Sequence, residues 1–408
     1  MKTEPLYYND NALLSFKANI INIEQVSDKK YPGKIRVQLD KTAFYPEGGG
    51  QPADLGTLGN FSVVHVKKDE GEIWHYLTGE NLTIESLTPG DEVEGKVDAD
   101  HRLDYQQQHT GQHILSAVFM ALGEYATVSV HQGEDYTTIE FATPGIDDEF
   151  LFRAEERANE IVCENKEIKT HWTDEEGLEE FKLRRPAKQK ENIRIVEIDG
   201  IDTVACGGIH LSTTGQTGFI KLTATAKIRG NMRTFWKIGK RTLLDYRQKT
   251  DITSELSKKL SVPLEKIEEG VRKLTEESVK KDQTLKEMGL KMAGFQAEGI
   301  YRKLTLTDEA PVASEVLDGM DKDGFRNLGL ALSEYDKIRF CILNRGEDSI
   351  QWIIGHGKGV ELDFNRIRET LLNPLKVRGG GRAPLWQGGG LTLHEEAAFL
   401  SAWKNFFL

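Results

Sequence analysis

Asp104-Tyr-Gln-Gln-Gln-His109-Thr-Gly-Gln-His113-Ile-Leu-Ser-Ala-Val-Phe-Met-Ala-Leu122 decides how this chain is read. Ile114, Leu115, Val118, Phe119 and Leu122 recur at three- and four-residue steps, which predicts a helix with one apolar stripe. His109 and His113 stand at i and i+4, a spacing that puts both imidazoles on one helix face. Much further on, Cys206-Gly-Gly-Ile-His210 supplies a second pair of soft or borderline donors. Its two glycines let the backbone bend around an ion. The two half-sites add up to the four N/S ligands that Zn²⁺ prefers. A zinc finger keeps its half-sites within about 20 residues. Here nearly a whole domain intervenes, so the ion would either pin a fold together or sit at an active site.

Outward from that helix the chain divides into four segments, and the expected fold class is α+β multidomain. Residues 1–90 read as short strands, Ala18–Ile23, Lys34–Leu39, Phe61–Val66 and Gly71–Leu77, punctuated by Gly48-Gly49-Gly50-Gln51-Pro52 and Pro89-Gly90. That pattern predicts a small N-terminal β-barrel. Residues 91–245 read as a mixed α/β domain. After the histidine helix come strands at Ala126–Val130 and Thr137–Phe141, a helix at Phe150–Glu164, and strands at Ile193–Ile198 and Gly218–Thr223 around the Cys206 turn. Residues 246–298 form a helical linker. Leu264, Ile267, Val271, Leu274, Leu285, Met288 and Met292 keep heptad spacing, with Ser278 and Lys281 in the remaining seam positions. Such a seam serves either self-pairing or a hairpin with Ile252–Leu260. Residues 299–408 have βαβ character: paired strands at Arg339–Leu343 and Ser349–Gly355, a helix at Asp363–Leu372, a glycine-rich Arg378–Gly390 loop and a closing helix from His394 to Phe406.

Composition narrows the function classes. No apolar run approaches the ~20 residues a membrane span needs, and Met1–Tyr8 lacks the apolar core of a secretory signal. Three cysteines make no disulfide framework, so a reducing cytoplasm is expected. A net charge of −12 argues against wholesale coating of nucleic acid. Two basic islands stand out nevertheless, Lys182–Lys190 and Lys221–Lys249; in the latter, Asp245 is the single acid. They are either polyanion contacts or solvated faces. The Tyr45–Gly56 segment lacks the lysine of a phosphate loop and is not a strand–GxGxxG–helix unit.

Phe44-Tyr45-Pro46-Glu47-Gly48-Gly49-Gly50-Gln51-Pro52, His109-Thr-Gly-Gln-His113-Ile-Leu and Cys206-Gly-Gly-Ile-His210 with Thr213-Thr-Gly215 follow the order of alanyl-tRNA synthetase editing domains. The chain resembles their free-standing relatives, the AlaX trans-editing proteins. Arg378–Gly390 is similar to the glycine-rich motif of the synthetase's C-terminal, DHHA1-type domain, although Gly-Gly-Gly-Arg-Ala-Pro stands where Gly-Gly-Gly-Arg-Pro is expected. With a helical linker between, the chain looks like the long AlaX form. The synthetase's aminoacylation domain finds no counterpart, so the expected protein undoes errors and cannot activate alanine.

The resemblance implies hydrolysis of the ester that joins serine or glycine to the 3′ end of tRNA-Ala, with mischarged tRNA-Ala as the partner. It implies zinc on His109, His113, Cys206 and His210, and a serine pocket lined by Thr127, Ser129, His131 and Gln51 beside the Gly48, Gly49, Gly50 loop. Thr127, Ser129 and His131 would share one strand face by the two-residue period. Four protein ligands close zinc's shell, whereas a catalytic zinc keeps three and a water. Either His210 therefore lies off the metal or the ion holds geometry alone. Lys227, Arg229, Arg233, Lys237, Arg378 and Arg382 are the expected RNA contacts, with Trp386 available for stacking. A homodimer through the linker or the C-terminal domain is one expected assembly. Two rival classes stay open: a zinc hydrolase of another acyl ester, and an RNA-binding module whose zinc is purely structural.

Overall fold

The structure is a computed structural model that describes residues 2–26, 35–304, 310–347 and 349–407. They form two compact units, Met1–Glu255 and Leu256–Leu408. Lys34, expected to open a strand, lies outside the described residues.

The first unit opens with β1 (Glu4–Pro5), β2 (Ser15–Gln25), β3 (Ile35–Leu39), β4 (Lys41–Thr42), β5 (Gly56–Leu58), β6 (Phe61–Asp69), β7 (Glu72–Thr78) and β8 (Glu92–Val97). Six of these close into a barrel in the order β2-β3-β7-β6-β5-β8, which leaves no open sheet edge. Alternate side chains fill it: Phe16, Ala18 and Ile20 from β2, and Ile35, Val37 and Leu39 from β3. A buried polar contact also sits inside, His75 Nε2 lying 2.8 Å from Thr42 Oγ1 and His75 Nδ1 3.2 Å from the Val37 carbonyl.

Helix α1 (Ala99–Gly123) follows at once, its N-terminus capped by Asp98, whose carboxylate accepts from the His101 N–H. It is longer than the expected Asp104–Leu122. Leu122 is exposed, whereas nearly every residue from Tyr105 to Phe119 is buried, glutamines and histidines included. The helix is therefore enclosed on all sides and not amphipathic. After it come β9 (Thr127–Gln132), β10 (Thr137–Phe141), α2 (Asp148–Glu164), β11 (Ile168–Thr173), β12 (Ile193–Ile198), β13 (Asp202–Ala205), β14 (Ile220–Ile228) and β15 (Asn231–Ile238). Two antiparallel sheets result, β14-β15-β10-β9 and β11-β12-β13. Trp236, Phe119 and Phe141 centre the core between helix and sheet, the two Phe rings stacked at 4.1 Å. Arg102 ties this domain to the barrel. Its Nε donates to Asp54 Oδ1 at 2.9 Å, and its terminal nitrogens reach the Ala43 and Asn11 carbonyls.

Helix α3 (Lys240–Leu260) is followed by α4 (Ile267–Arg302), which starts the rest of the second unit. Leu264, Val271, Leu274, Leu285, Met288 and Met292 of the heptad seam are exposed, and the end of α4 is buried through Ala293, Ala297 and Ile300. Next come β16 (Val312–Asp318), α5 (Lys322–Ser333), β17 (Arg339–Arg345), β18 (Ile350–His356), α6 (Phe364–Ile367), β19 (Arg378–Arg382), β20 (Leu385–Leu391) and α7 (Glu396–Asn405). Their sheet runs β16-β17-β18-β20-β19, with β16 and β17 parallel across α5. Alternation along β17 splits the core. Phe340 and Ile342 face α4 and α5, while Cys341 and Leu343 face Trp352, Phe399 and Trp403.

The expected glycine-rich loop is instead the β19–β20 hairpin. Trp352 lies against Gly379 and Gly388, where any side chain would collide with its ring. Trp386 is not available for stacking on a ligand: it is buried and already stacked on Phe364, with centroids 4.7 Å apart.

Candidate metal centre

Two pieces of chain far apart in sequence meet at one point. Helix α1 presents His109 and His113 a turn apart, and the turn after β13 returns Cys206 and His210 to them. Cys206 Sγ lies 3.4 Å from His109 Nε2 and 3.4 Å from His210 Nε2. One donor atom from each of the four residues falls within 4.8 Å of all the others. The edge of a tetrahedron built on ligand bonds of about 2.0–2.3 Å is about 3.3–3.8 Å, so the donor set and its spacing suit zinc.

The other nitrogen of each imidazole faces a polar side chain. His109 Nδ1 lies 2.7 Å from Gln51 Oε1, His113 Nδ1 3.3 Å from Asp202 Oδ2, and His210 Nδ1 3.3 Å from Thr110 Oγ1. Such partners fix ring orientation and leave every Nε2 aimed inward. The glycine turn is gripped just as closely. Arg194 Nη1 donates to the Cys206 and Gly208 carbonyls at 3.0 and 2.7 Å, Asn11 Nδ2 to the His210 carbonyl at 2.6 Å, and the Ile209 N–H to Gln51 Oε1 at 3.1 Å. At position 208 the His109 ring comes so near that a Cβ would strike it.

The electrostatics favour a thiolate. Burial pushes the Cys206 thiol up, but His109 and His113 overcome this and hold it well below the usual thiol range. Burial, then the neighbouring His109 and His113, drive His210 well below an ordinary histidine. Burial also opposes charge on His113, yet Cys206 and Asp202 raise it. Asp202 itself is held down against burial by His113 and Arg184.

Beside the centre opens a cleft of about 1240 Å³, lined by the Tyr45–Gly50 loop, His109, His113, Thr127–Val130 and Cys206–Gly208. Gly48 and Gln51 exchange backbone hydrogen bonds, making a tight turn in which Gly49 (φ 60°) and Gly50 (φ 89°) both need positive φ. The Gly50 carbonyl accepts from the Gln132 N–H of β9 at 3.4 Å.

The predicted pocket residues do not stay together. Register slips between Phe141↔Thr127 and Glu140↔Ser129, so Val128 bulges and the two-residue period breaks. Thr127 lines the cleft and its hydroxyl donates to Ser116 Oγ at 2.9 Å. Ser129 borders both this cleft and a second cavity of about 460 Å³, and His131 lines only the second. Gln51 is buried behind His109 and supports the metal centre instead of lining the cleft. Sequence reasoning missed Gln112, whose Nε2 donates to Ser116 Oγ at 2.8 Å, and also Asp202, Thr110 and Arg194. A usable signal existed for the first: a helix that carries Gln106, Gln108, Thr110, Gln112 and Ser116 directly into an apolar run from Ile114 to Phe119 has to satisfy the buried ones internally.

The basic islands also need correction. Six of the nine cations from Lys221 to Lys249 are in ion pairs: Lys221 with Glu155, Arg233 with Glu140, Lys237 and Lys249 with Asp245, Lys240 with Asp100, and Arg241 with Asp104. Arg233 and Lys237 are therefore largely neutralised. Lys227 and Arg229, at the β14–β15 hairpin tip, have no ion-pair partner among the described residues. Arg378 and Arg382 are exposed on β19 in the second unit. Among the described residues, no helix is long and apolar enough to cross a membrane.

Fold and site together define a class of protein in which an α/β module closes a four-donor His/Cys centre beside a β-barrel, with a cleft opening onto it. Residues 1–101 match the family model of class II (A) tRNA synthetases, and residues 193–233 that of the threonyl and alanyl tRNA synthetase second additional domain. The chain is 34% identical to the alanyl-tRNA editing protein AlaX-M of Methanosarcina mazei over 54% of this chain and 90% of that protein. It is 34% identical to AlaX-M of Methanosarcina acetivorans over 60% of this chain and 100% of that protein. The chain belongs to the AlaX-type alanyl-tRNA editing protein family. It is also 29% identical to the alanine–tRNA ligase of Pyrococcus abyssi over 95% of this chain, spanning 42% of that ligase. The C-Ala domain of Aquifex aeolicus alanyl-tRNA synthetase, a solved structure, is 24% identical over 25% of this chain and 96% of its own. Its TM-score of 0.22 carries no argument about shape.

Proposed function

We propose that this protein is a trans-editing hydrolase that removes serine or glycine wrongly esterified to the 3′ end of tRNA-Ala, with zinc held by His109, His113, Cys206 and His210. The observation that carries the proposal is the convergence of four buried or half-buried donors, three of which (His109, His113 and Cys206) line one wall of a cleft whose other walls are the glycine turn and β9. The proposed domains assign the cleft to residues 1–90 and 91–245, a coiled-coil-like helical linker to 246–298 and a DHHA1-like domain to 299–408. Bound there, zinc would supply a fixed positive charge, and where a water replaced one donor it would lower that water's pKa to about 7.

The chain's own residues provide the selectivity. Thr127 and Gln112 both donate to Ser116 Oγ, so the Thr127 oxygen keeps its lone pairs free toward the cleft. A serine hydroxyl can donate to that oxygen; the alanine methyl cannot, and it leaves a polar group unpaired. Sites built to bond a substrate hydroxyl reject the analogue without it by roughly 10⁴–10⁵ at their best. Single-turnover hydrolysis of Ser-tRNA-Ala against Ala-tRNA-Ala is the test. Fast release of serine with alanine retained is expected; equal or absent release of both would remove the editing assignment.

A further inference from the structure

The basic island Lys182–Lys190 runs along the mouth of the metal cleft, with Arg185 and Lys188 lining it. Its base is fixed to the metal surroundings. Arg184 Nε donates to Asp202 Oδ1 at 2.7 Å, the same carboxylate that faces His113, and the Arg184 N–H donates to the Thr203 carbonyl at 2.9 Å. Its far end is tied by the Glu175 N–H to the Lys190 carbonyl at 3.0 Å. Between these ties Arg185 and Lys188 are exposed and, among the described residues, without an ion-pair partner. In the same cleft Trp172 of β11 stands 53% exposed, braced edge-on by Tyr8 at 5.3 Å. Tyr8 in turn donates to the Gly207 carbonyl of the donor turn at 3.1 Å. An unpaired cation pair, linked to the donor cluster through Arg184 and Asp202, and a bare indole, linked to it through Tyr8, match what single-stranded RNA requires: charge along the backbone and a ring for a base.

We propose that Trp172 stacks a base of the single-stranded 3′ end of the RNA while Arg185 and Lys188 hold its adjoining phosphates, which delivers the terminal ester to the metal centre. This rests on the editing assignment for the identity of the RNA. Carboxylates also line the cleft, Glu4, Glu47 and Glu191, so the cations are a local receptor and not a general positive field.

The test uses the whole protein and two RNAs, a short duplex with a single-stranded 3′ extension and the same duplex blunt-ended, each titrated across a range of salt. Trp172→Ala should weaken binding of the extended RNA roughly five- to a hundredfold with the salt slope unchanged, and Trp172→Phe should restore most of it. R185Q/K188Q should lower the salt slope by about 1.4, roughly 0.7 for each single-strand phosphate that is no longer neutralised. That amounts to on the order of tenfold in affinity at about 0.15 M salt. Neither should change binding of the blunt duplex. Equal losses on both RNAs, or no loss on the extended one, would overturn the proposal. Wild-type protein that prefers the extended RNA yet leaves a seryl ester intact would defeat the editing assignment and leave this receptor standing.

Discussion

At the scale of single residues the centre depends on partners that are not donors. His113 owes its orientation to Asp202, and Asp202 is itself paired with Arg184. Replacing a partner of this kind typically costs 10–100-fold in metal affinity. Asp202→Asn is therefore expected to lower zinc affinity by about that factor, measured by competition with a chromophoric chelator. His113→Ala and Cys206→Ala should purify without stoichiometric metal by elemental analysis. Stoichiometric zinc in both would refute the ligand set. Gly208→Ala keeps all four donors but pushes a methyl into the His109 ring, and it too should lose metal. The donors were legible in the sequence because imidazole and thiol at these spacings have few other reasons to occur together. Gln51 reads as a pocket residue in the sequence, since nothing there says which face of a turn an amide will serve. Asp202 looks like any strand residue, and only the fold brings it to His113.

At the scale of elements one irregularity separates success from failure. The strand at residues 127–132 was legible, but the bulge at Val128 was not, because a register slip depends on the partner strand. Thr127→Val should therefore cut the Ser-over-Ala discrimination roughly tenfold, the worth of one hydrogen bond of about 1.4 kcal/mol, while His131→Ala leaves it alone. Single-turnover rates on both esters decide this, and a larger effect at His131 would mean that the strand's faces are assigned the wrong way round. The barrel offers a second element-scale measurement. Burial pushes His75 down from about 6.5 to about 4, against a smaller opposing contribution from the Val37 carbonyl. Between those values the unfolded chain takes up a proton that the folded barrel refuses. Stability from this group is therefore complete above pH 6.5, falls as pH drops through the window, and levels off near pH 4. The full loss is on the order of 3 kcal/mol. Urea titrations at stepped pH should show that slope in the wild type and a flatter one in His75→Gln; identical slopes would contradict it.

For the whole molecule, periodicity carried the reading furthest where elements are long and regular. The long linker helix and the α+β class follow from it, whereas β16 and α5, which with β17 make the βαβ unit, have no counterpart in the sequence reading of 299–408. The Arg378–Gly390 stretch failed because glycine is a turn signal by default, whereas here the tryptophan underneath excludes side chains and leaves two glycine-rich strands. Charge failed in a related way. A run of nine cations looks like an RNA surface until the fold supplies carboxylates from Glu155, Glu140, Asp100 and Asp104, none of them nearby in sequence. The heptad seam was legible as a pattern, and its apolar members Leu264 to Met292 remain largely bare along α4. A stripe of that length in water is covered in most stable proteins, and 3.5-residue spacing is the geometry for covering it with an identical helix. Ser278 and Lys281 in seam positions weaken the pairing, so a dimer that forms with rising protein concentration is expected rather than an obligate one. Sedimentation equilibrium across a concentration series should resolve monomer and dimer, and Leu274→Lys with Met288→Lys should hold the chain monomeric throughout while leaving metal content unchanged. A wild type that stays monomeric at high concentration would show that the seam is not a self-pairing surface.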